Sequence, residues 1–248
     1  MKLPLIKGAT LAGILAFGAS SALAGDALTV VSWGGAYTKS QIEAYHKPYT
    51  AKYGTKIQSE DYNGGLAEIR AQVEAGKITW DVVDLEVSDA ARGCDDGLFE
   101  KISAGSLPNG ANGALPAKDF IPGALQECAV GTIVWSTIYA YDADKYKSKK
   151  PKTISDFFDT KKFPGKRGMR KVPKVNLEWA LMADGVDGRD VYKVLATKAG
   201  QDRAFKKLDT IKDDVLWWEA GAQPPQMLAD GEVVMTSAYN GRIFNAAV

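Results

Sequence analysis

Strand-like and helix-like segments alternate in the first part of the chain. Apolar, β-branched runs at 28–33, 56–62 and 82–86 each stop at a turn, and residues with helical periodicity follow each run. Such short spacing between successive strands favours parallel pairing, with helices covering the sheet. The pattern therefore predicts an α/β fold whose first sheet is built from residues 28–97.

This arrangement also predicts where a ligand binds. In open α/β sheets, ligands lie outside the carboxyl ends of the strands. Those ends lead here into the loops 33–37, 62–65 and 86–88. We therefore expect binding residues in these three loops.

The second half of the chain predicts another unit of the same kind. Residues 132–141 form a long β-branched and aromatic run, which predicts a strand passing from a first lobe into a second. Further strands are predicted near 168–171 and at 233–239. Helices are predicted at 153–158, 177–183, 190–198 and 202–212. The predicted architecture is two lobes, 25–135 and 136–248, each with a mainly parallel sheet flanked by helices.

The N-terminus has the features of an export signal. Lys2 and Lys7 are basic, residues 9–17 are apolar, and residues 22–24 give a small-x-small cleavage pattern. The apolar run is too short for a permanent membrane span. Residues 1–24 are therefore predicted to be a signal peptide that sends the chain to the periplasm.

The charge balance argues against a nucleic-acid partner. Removal of the predicted signal peptide takes two lysines from 31 basic residues and leaves 29, against 30 acidic residues. A nucleic-acid-binding protein favours a basic face. We therefore expect a small-molecule partner.

The chain has two cysteines, Cys94 and Cys128. Their spacing does not match a C-x-x-C redox or zinc pattern. An even cysteine count in an oxidising compartment favours a disulfide between them. Two buried free thiols remain the alternative.

The stretch Trp33-Gly34-Gly35-Ala36-Tyr37 is the most informative candidate for a site. A tryptophan at the end of a strand, followed by glycines and a helix, places an aromatic face and backbone N–H groups at the open edge of the sheet. Trp33, Gly34 and Tyr37 are therefore predicted to bind the ligand. The alternative is that Trp33 is a core residue and the glycines form only a turn.

Carboxylates and aromatic residues at other predicted loops complete the candidate set. Glu86 leaves the third strand and is predicted to anchor a ligand, with Ser88 in the same loop; a solvated carboxylate is the alternative for Glu86. The remaining candidates lie in the predicted second lobe and are Glu178, Trp218, Glu219 and Tyr239. The alternative for Glu178 is a surface position without a role in binding. The alternative for Trp218 is a place in the core of the lobe.

Catalysis finds little support in the sequence. His46 is the only histidine and lies in a predicted helix whose apolar face is elsewhere, so we expect it to be exposed. The chain has no G-x-S-x-G, H-E-x-x-H or P-loop motif. We therefore expect a protein that is not an enzyme and that needs neither a metal nor a cofactor.

Several segments together resemble one known family. The segments are, in order, 28–37, Asp81-Val82-Val83, 132–142, Phe163-Pro164-Gly165-Lys166 and 227–241. In this order and spacing they resemble the polyamine-binding proteins of ABC importers, which are periplasmic binding proteins of the spermidine/putrescine type. The resemblance implies a two-lobed periplasmic-binding-protein fold that traps its ligand between the lobes.

The resemblance also implies roles for individual residues. Aromatic side chains of that family line the hydrocarbon part of the polyamine, and carboxylates hold its amines. By their position in the matching segments, Trp33 and Tyr37 correspond to such residues, and Tyr239 stands where the family has a tryptophan beside Asn-Gly. Glu178 lies near the family's acidic residues in the second lobe. Glu86 departs from the pattern, because that position is usually serine.

The sequence ends at Val248, inside a segment with a helical pattern and without a closing strand. The family has further ligand residues and a return to the first lobe after this point. We therefore expect a chain that is truncated at its C-terminal end, with an incomplete first lobe.

Three functions remain open at this stage. The first is a monomeric solute-binding protein that carries a polyamine-like cation to an ABC permease in the inner membrane. The second keeps the fold but binds a small carboxylate or phosphonate, with Arg242 and Lys171 as its partners. The third is a secreted hydrolase that uses a pair of carboxylates.

Overall fold

The computed structural model of the chain describes residues 27–247. The predicted signal peptide, 1–24, lies outside these residues. Within the described part of the chain, every helix is too short or too polar to span a bilayer.

The first lobe is built on a three-stranded parallel sheet in the order β2-β1-β3. Its strands are β1 (Leu28–Ser32), β2 (Ile57–Asp61) and β3 (Val82–Val83). The central strand buries Val31 and Ser32. The predicted parallel sheet is confirmed, although its third strand is shorter than the predicted run of 82–86.

Helices follow each strand of this sheet, as the alternating pattern predicted. They are α1 (Gly35–Gln41), α2 (Lys47–Tyr53), α3 (Ala67–Glu74), α4 (Val87–Asp95) and the single turn α5 (Pro116–Asp119). Helix α2 ends at Gly54, which adopts φ = 76°. Glycine suits this left-handed conformation because it has no Cβ atom.

A π-helical turn, Ile42–His46, separates α1 from α2. Pro48 follows this turn, and a proline has no N–H and its ring clashes with the carbonyl four residues earlier. The wider turn accommodates Pro48 and changes which side chains face the sheet. His46 is buried, while Tyr45 and Tyr49 are exposed. The expectation of an exposed His46 is therefore wrong.

The second lobe is built on a four-stranded sheet in the order β4-β7-β5-β6. Its strands are β4 (Thr137–Tyr141), β5 (Arg167–Arg170), β6 (Val215–Trp218) and β7 (Met235–Tyr239). Strand β4 is antiparallel to β7, whereas β5 pairs in parallel with β6 and with β7. The predicted strand 132–141 is thus wrong for residues 132–136, and β6 was not predicted.

Six helices of the described chain cover this second sheet: α6 (Ile154–Phe158), α7 (Asn176–Ala183), α8 (Val191–Leu195), α9 (Lys198–Asp209), α10 (Gln223–Ala229) and α11 (Asn240–Ala247). Helix α9 begins earlier than the predicted 202, because Thr197 caps it by accepting a hydrogen bond from Gly200 N–H (3.0 Å). Pro224 and Pro225 lie in the first turn of α10, where a missing N–H costs nothing.

The main hydrophobic core lies in the second lobe. Phe157, Phe163, Met169, Leu181 and Met235 are among its fully buried side chains. Two of them come from β5 and β7, so the core fixes the strands whose carboxyl ends carry the site described below.

The two cysteines are joined. The structure contains a disulfide between Cys94 and Cys128, with a Cα–Cα distance of 5.7 Å. This confirms the predicted pairing. The bond links α4 to the segment that precedes β4, and closing such a loop stabilises the folded state chiefly by restricting the unfolded chain.

Candidate functional site

A cleft of about 390 Å³ opens between the two lobes. The first lobe contributes the start of α4, and the second lobe contributes the ends of its strands and the loop before α7. The residues that line it are Glu86, Ser88, Trp135, Thr137, Arg170, Lys174, Val175, Asn176, Glu178, Tyr192, Trp218, Ser237 and Tyr239. The site therefore lies at the carboxyl ends of parallel strands, as α/β folds favour.

Two basic residues of the second lobe hold the acidic residues of the first. Arg170 Nη1 donates to Glu86 Oε1 (2.8 Å), and Lys174 Nζ donates to Glu86 Oε2 (2.6 Å). Lys174 also donates to Asp89 Oδ2 (2.9 Å). Burial acts to lower the pKa of Lys174, but the bonds to Glu86 and Asp89 outweigh it and the pKa is raised. Both oxygens of Glu86 are thus already paired with cations.

The loop between β5 and α7 places these two cations. Asn176 Nδ2 donates to the carbonyl oxygens of Arg170 (2.6 Å) and Val172 (2.7 Å), which folds the loop back on its own strand. Val175 completes the loop with φ = 71° and ψ = −41°. A β-branched residue rarely adopts this conformation, and such strain persists only where the surroundings impose it.

Aromatic rings form one wall of the cleft. The ring of Tyr239 lies 5.7 Å from that of Trp218 and 4.9 Å from that of Trp135, both edge to face. The guanidinium of Arg170 lies 5.9 Å from the Tyr239 ring and 5.7 Å from the Trp33 ring. Burial raises the pKa of Tyr239, so its hydroxyl stays protonated at neutral pH. The wall is apolar and carries a cation beside it.

Arg242, near the start of α11, joins the second lobe to the first strand–helix loop. Its Nη2 donates to the carbonyl oxygens of Trp33 (2.9 Å) and Gly34 (2.8 Å). Burial lowers the pKa of Arg242. The Gly34 N–H donates to Thr38 Oγ1 (2.9 Å) and is not free for a ligand.

Glu178 presents an acidic group in the same cleft. Its Oε1 accepts a hydrogen bond from Tyr192 Oη (3.4 Å), and within residues 27–247 it forms no ion pair. The charge of Glu178, with burial, raises the pKa of Tyr192. Unlike Glu86, this carboxylate has capacity for a cationic group of a ligand.

Five of the nine predicted ligand residues line the cleft: Glu86, Ser88, Glu178, Trp218 and Tyr239. Trp33 lies beside it, against Arg170. The remaining three, Gly34, Tyr37 and Glu219, do not line it. Glu219 is exposed and pairs with Lys171 (3.3 Å), so Lys171 is also away from the cleft.

Most of the polar cleft residues of the second lobe were not predicted from the sequence. They are Arg170, Lys174, Asn176 and Ser237, and the aromatic Trp135 before β4 was not predicted either, although all five line the cleft. One signal was available, since Arg170 ends a strand that was predicted, and strand ends were the criterion used in the first lobe. No group of three or more His, Cys, Asp or Glu side chains in residues 27–247 is placed to hold a metal ion.

The chain is similar to known solute-binding proteins along most of its length. Residues 44–247 match the family model described as bacterial extracellular solute-binding protein. The gamma-aminobutyric acid-binding protein of Pseudomonas aeruginosa is 48% identical over 229 residues, which are 92% of this chain and 63% of that protein. This chain therefore spans less than two thirds of the length of that relative.

Two solved structures have the same fold. The periplasmic binding protein MotA from A. tumefaciens B6, in complex with glucopine, aligns with a TM-score of 0.82 and 32% identity, over 90% of this chain and 66% of that one. The GABA receptor Atu4243 aligns with a TM-score of 0.72 and 35% identity, over 89% of this chain and 64% of that one. The chain belongs to the bacterial extracellular solute-binding protein family.

Proposed function

We propose that this chain captures a small carboxylate-bearing solute of the amino-acid type, such as an ω-amino acid, in the cleft between its lobes. The observation that carries the proposal is the pairing of Glu86 with both Arg170 and Lys174. A carboxylate solute can join these cations through charge-assisted hydrogen bonds. Glu178 can then accept the ammonium group of the same solute.

The charges of the cleft fit a zwitterion better than a polyamine. The lining residues include two cations, Arg170 and Lys174, and two carboxylates, Glu86 and Glu178. A polyamine carries two or more positive charges and needs unpaired carboxylates, but Glu86 is already neutralised. The polyamine interpretation therefore loses Glu86 as the acid that would hold an amine. The alternative, a solute with an anionic group, gains Arg170 and Lys174 as cations that can bind it.

The relatives support the same choice. The protein that is 48% identical to this chain is named as a binding protein for gamma-aminobutyric acid (GABA), and a structure that is 35% identical is a GABA receptor. Neither the named relatives nor the family description is that of a hydrolase. GABA is accordingly the first solute to test.

The remaining parts of the proposal concern the whole protein. We infer that it is exported by its N-terminal signal, works as a monomer in the periplasm and delivers its solute to an ABC permease. A lobe boundary near 135 and 136 would place the hinge just before β4. Closing of the lobes around a solute would exclude water and present a shape that a permease can read.

The substitution Arg170→Gln tests the proposal through the affinity for GABA. It removes a cation beside the solute, and hydrogen bonds with charged groups contribute about 1.5–3 kcal/mol. We expect a loss of affinity of tenfold or more, corresponding to about 1.4 kcal/mol per factor of ten. Isothermal titration of the mature chain measures this effect.

Arg203→Gln is the matched control for this experiment. Arg203 pairs with Asp184 (2.6 Å) on an outer helix and does not line the cleft. Its loss should leave the affinity for GABA unchanged. An Arg170→Gln variant that binds GABA as tightly as the parent chain would contradict the proposal.

A further inference from the structure

Two hydrogen-bond donors of the cleft are buried without a partner. Trp218 and Ser237 both line the cleft, with 1% and 2% of their surfaces exposed. Trp218 Nε1 and Ser237 Oγ make no hydrogen bond within the described chain. Within residues 27–247, an acceptor of the same cleft, Asn176 Oδ1, is unpaired as well. Most buried polar side chains in folded proteins have a partner, so these unpaired groups in one cleft require an explanation.

The chemistry of the indole group limits what can satisfy it. The Nε1–H of tryptophan donates a hydrogen bond and cannot accept one. A group that meets it must therefore have an acceptor oxygen or nitrogen. An ammonium group has only donors, and it would leave Trp218 Nε1 unsatisfied in a buried position, at a cost in free energy.

These donors and the cation Arg170 come from neighbouring strands of one sheet. Trp218 lies opposite Arg170 in the parallel register of β5 and β6. Ser237 lies on β7, which pairs with the other side of β5. Three neighbouring strands thus each supply a residue with a hydrogen-bond donor to the lining of one cleft: Arg170 from β5, Trp218 from β6 and Ser237 from β7.

We propose that Trp218 Nε1 and Ser237 Oγ donate hydrogen bonds to the carboxylate of the bound solute and select for an acceptor group at this end of the cleft. This inference rests on the proposed function and adds an orientation to it. The carboxylate lies against the strands of the second lobe, and the ammonium group lies towards Glu178 on α7. Diamines are disfavoured because neither of their ammonium groups can accept a hydrogen bond from Trp218 Nε1.

Ser237→Ala and Trp218→Phe test the inference by calorimetric titration with GABA. Each substitution removes one donor, and we expect each to weaken binding about tenfold or more, because the lost bond is to a charged group. Trp217→Phe and Ser155→Ala are the matched controls. Both residues are exposed and neither lines the cleft, so their affinities should equal that of the parent chain.

Thermal unfolding of the ligand-free variants separates a binding role from a structural one. Removal of an unsatisfied buried donor does not cost the folded state a hydrogen bond. The melting temperature of ligand-free Ser237→Ala should therefore be equal to or higher than that of the parent, while its affinity for GABA is lower. A Ser237→Ala variant that loses affinity and stability together would overturn the inference.

The outcomes for this inference and for the proposed function are distinct. Parental affinity for GABA in both Ser237→Ala and Trp218→Phe would overturn the donor role but leave the binding of a carboxylate solute in place. A parent chain that binds neither GABA nor related amino carboxylates would overturn both. Weaker binding in both donor variants, with unchanged controls, supports the inference.

Discussion

His46 shows how one residue can depart from a correct helical pattern. The tyrosines at 45, 49 and 53 have helical spacing, but they are exposed, whereas His46 is 8% exposed and its Nδ1 lies 3.0 Å from Ser59 Oγ. The π-helical turn causes this change, and a single sequence does not reveal such a turn. Pro48 was the only local sign of an interruption.

The buried His46 predicts a loss of stability in mild acid. Burial lowers the pKa of His46 below its usual value of 6.5, and the charge of Asp84 opposes this only in part. The unfolded chain therefore binds a proton more readily than the folded chain. The contribution of His46 to the free energy of unfolding should therefore be constant above pH 6.5. It should fall as the pH drops below this value.

Denaturant unfolding between pH 5 and about 8 measures this effect. His46→Gln removes the titrating group and keeps a polar side chain, so its free energy of unfolding should depend less on pH in this range. Equal pH dependence in the variant and the parent would show that His46 does not contribute.

The residues of the site were predictable where they follow a strand and unpredictable where they depend on distant pairing. Glu86 and Tyr239 lie at strand ends, and both line the cleft. The role of Glu86 was not visible, because its partners Arg170 and Lys174 are 84 and 88 residues away. The sequence pattern placed Glu86 at the cleft, and the ligand role predicted for it stays a prediction beside its ion pairs with Arg170 and Lys174.

At the scale of elements, the alternation of strands and helices was sufficient for the first sheet. Strand β6 was missed because the two tryptophans of Val215–Trp218 were interpreted as part of a packed core or as ligand walls, and not as part of a strand. The early start of α9 was missed because its capping residue, Thr197, lies inside a segment predicted to be one helix. Local caps and tertiary pairing decide these boundaries.

The junction between α8 and α9 depends on a glycine. A Cβ atom on Gly200 would lie 1.9 Å from the carbonyl oxygen of Val194. We expect Gly200→Ala to lower the free energy of unfolding by about 1–3 kcal/mol, because the backbone must move to accommodate the methyl group. Denaturant unfolding measures this change.

Gly188→Ala is the control for this prediction. Its Cβ atom would meet only Met182 Cε, at 3.8 Å, which is an ordinary contact. Its free energy of unfolding should stay within about 0.5 kcal/mol of that of the parent. Equal stabilities of the two alanine variants would contradict the packing of α9 described above.

At the scale of the whole molecule, the hydrogen bonds across the cleft have their donors in the second lobe and their acceptors in the first. Arg170, Lys174 and Arg242 of the second lobe all donate to acceptors of the first. Glu86 accepts from two of them. The lobes are therefore held together by charge-assisted hydrogen bonds rather than by a shared hydrophobic core.

Glu86→Gln should shift the ligand-free protein towards an open form. The substitution removes the charge that pairs with Arg170 and Lys174, and bonds of this kind contribute about 1.5–3 kcal/mol. We expect the ratio of closed to open molecules to fall about tenfold or more. Small-angle X-ray scattering should show a larger radius of gyration.

Glu219→Gln is the control for the effect on closure. Glu219 is exposed and pairs with Lys171 of the same lobe (3.3 Å), so its loss should leave the radius of gyration unchanged. A Glu86→Gln chain as compact as the parent would mean that these ion pairs do not hold the lobes together.

The central claim is that the cleft takes a carboxylate, and one comparison tests it most directly. GABA and putrescine have similar four-carbon chains with an ammonium group, but GABA ends in a carboxylate and putrescine in a second ammonium group. Calorimetric titration of the mature chain with each should show GABA binding more tightly by at least about tenfold, because a second ammonium group would lie against Arg170 and Lys174. Tighter binding of putrescine would contradict the account and restore the polyamine interpretation of the sequence.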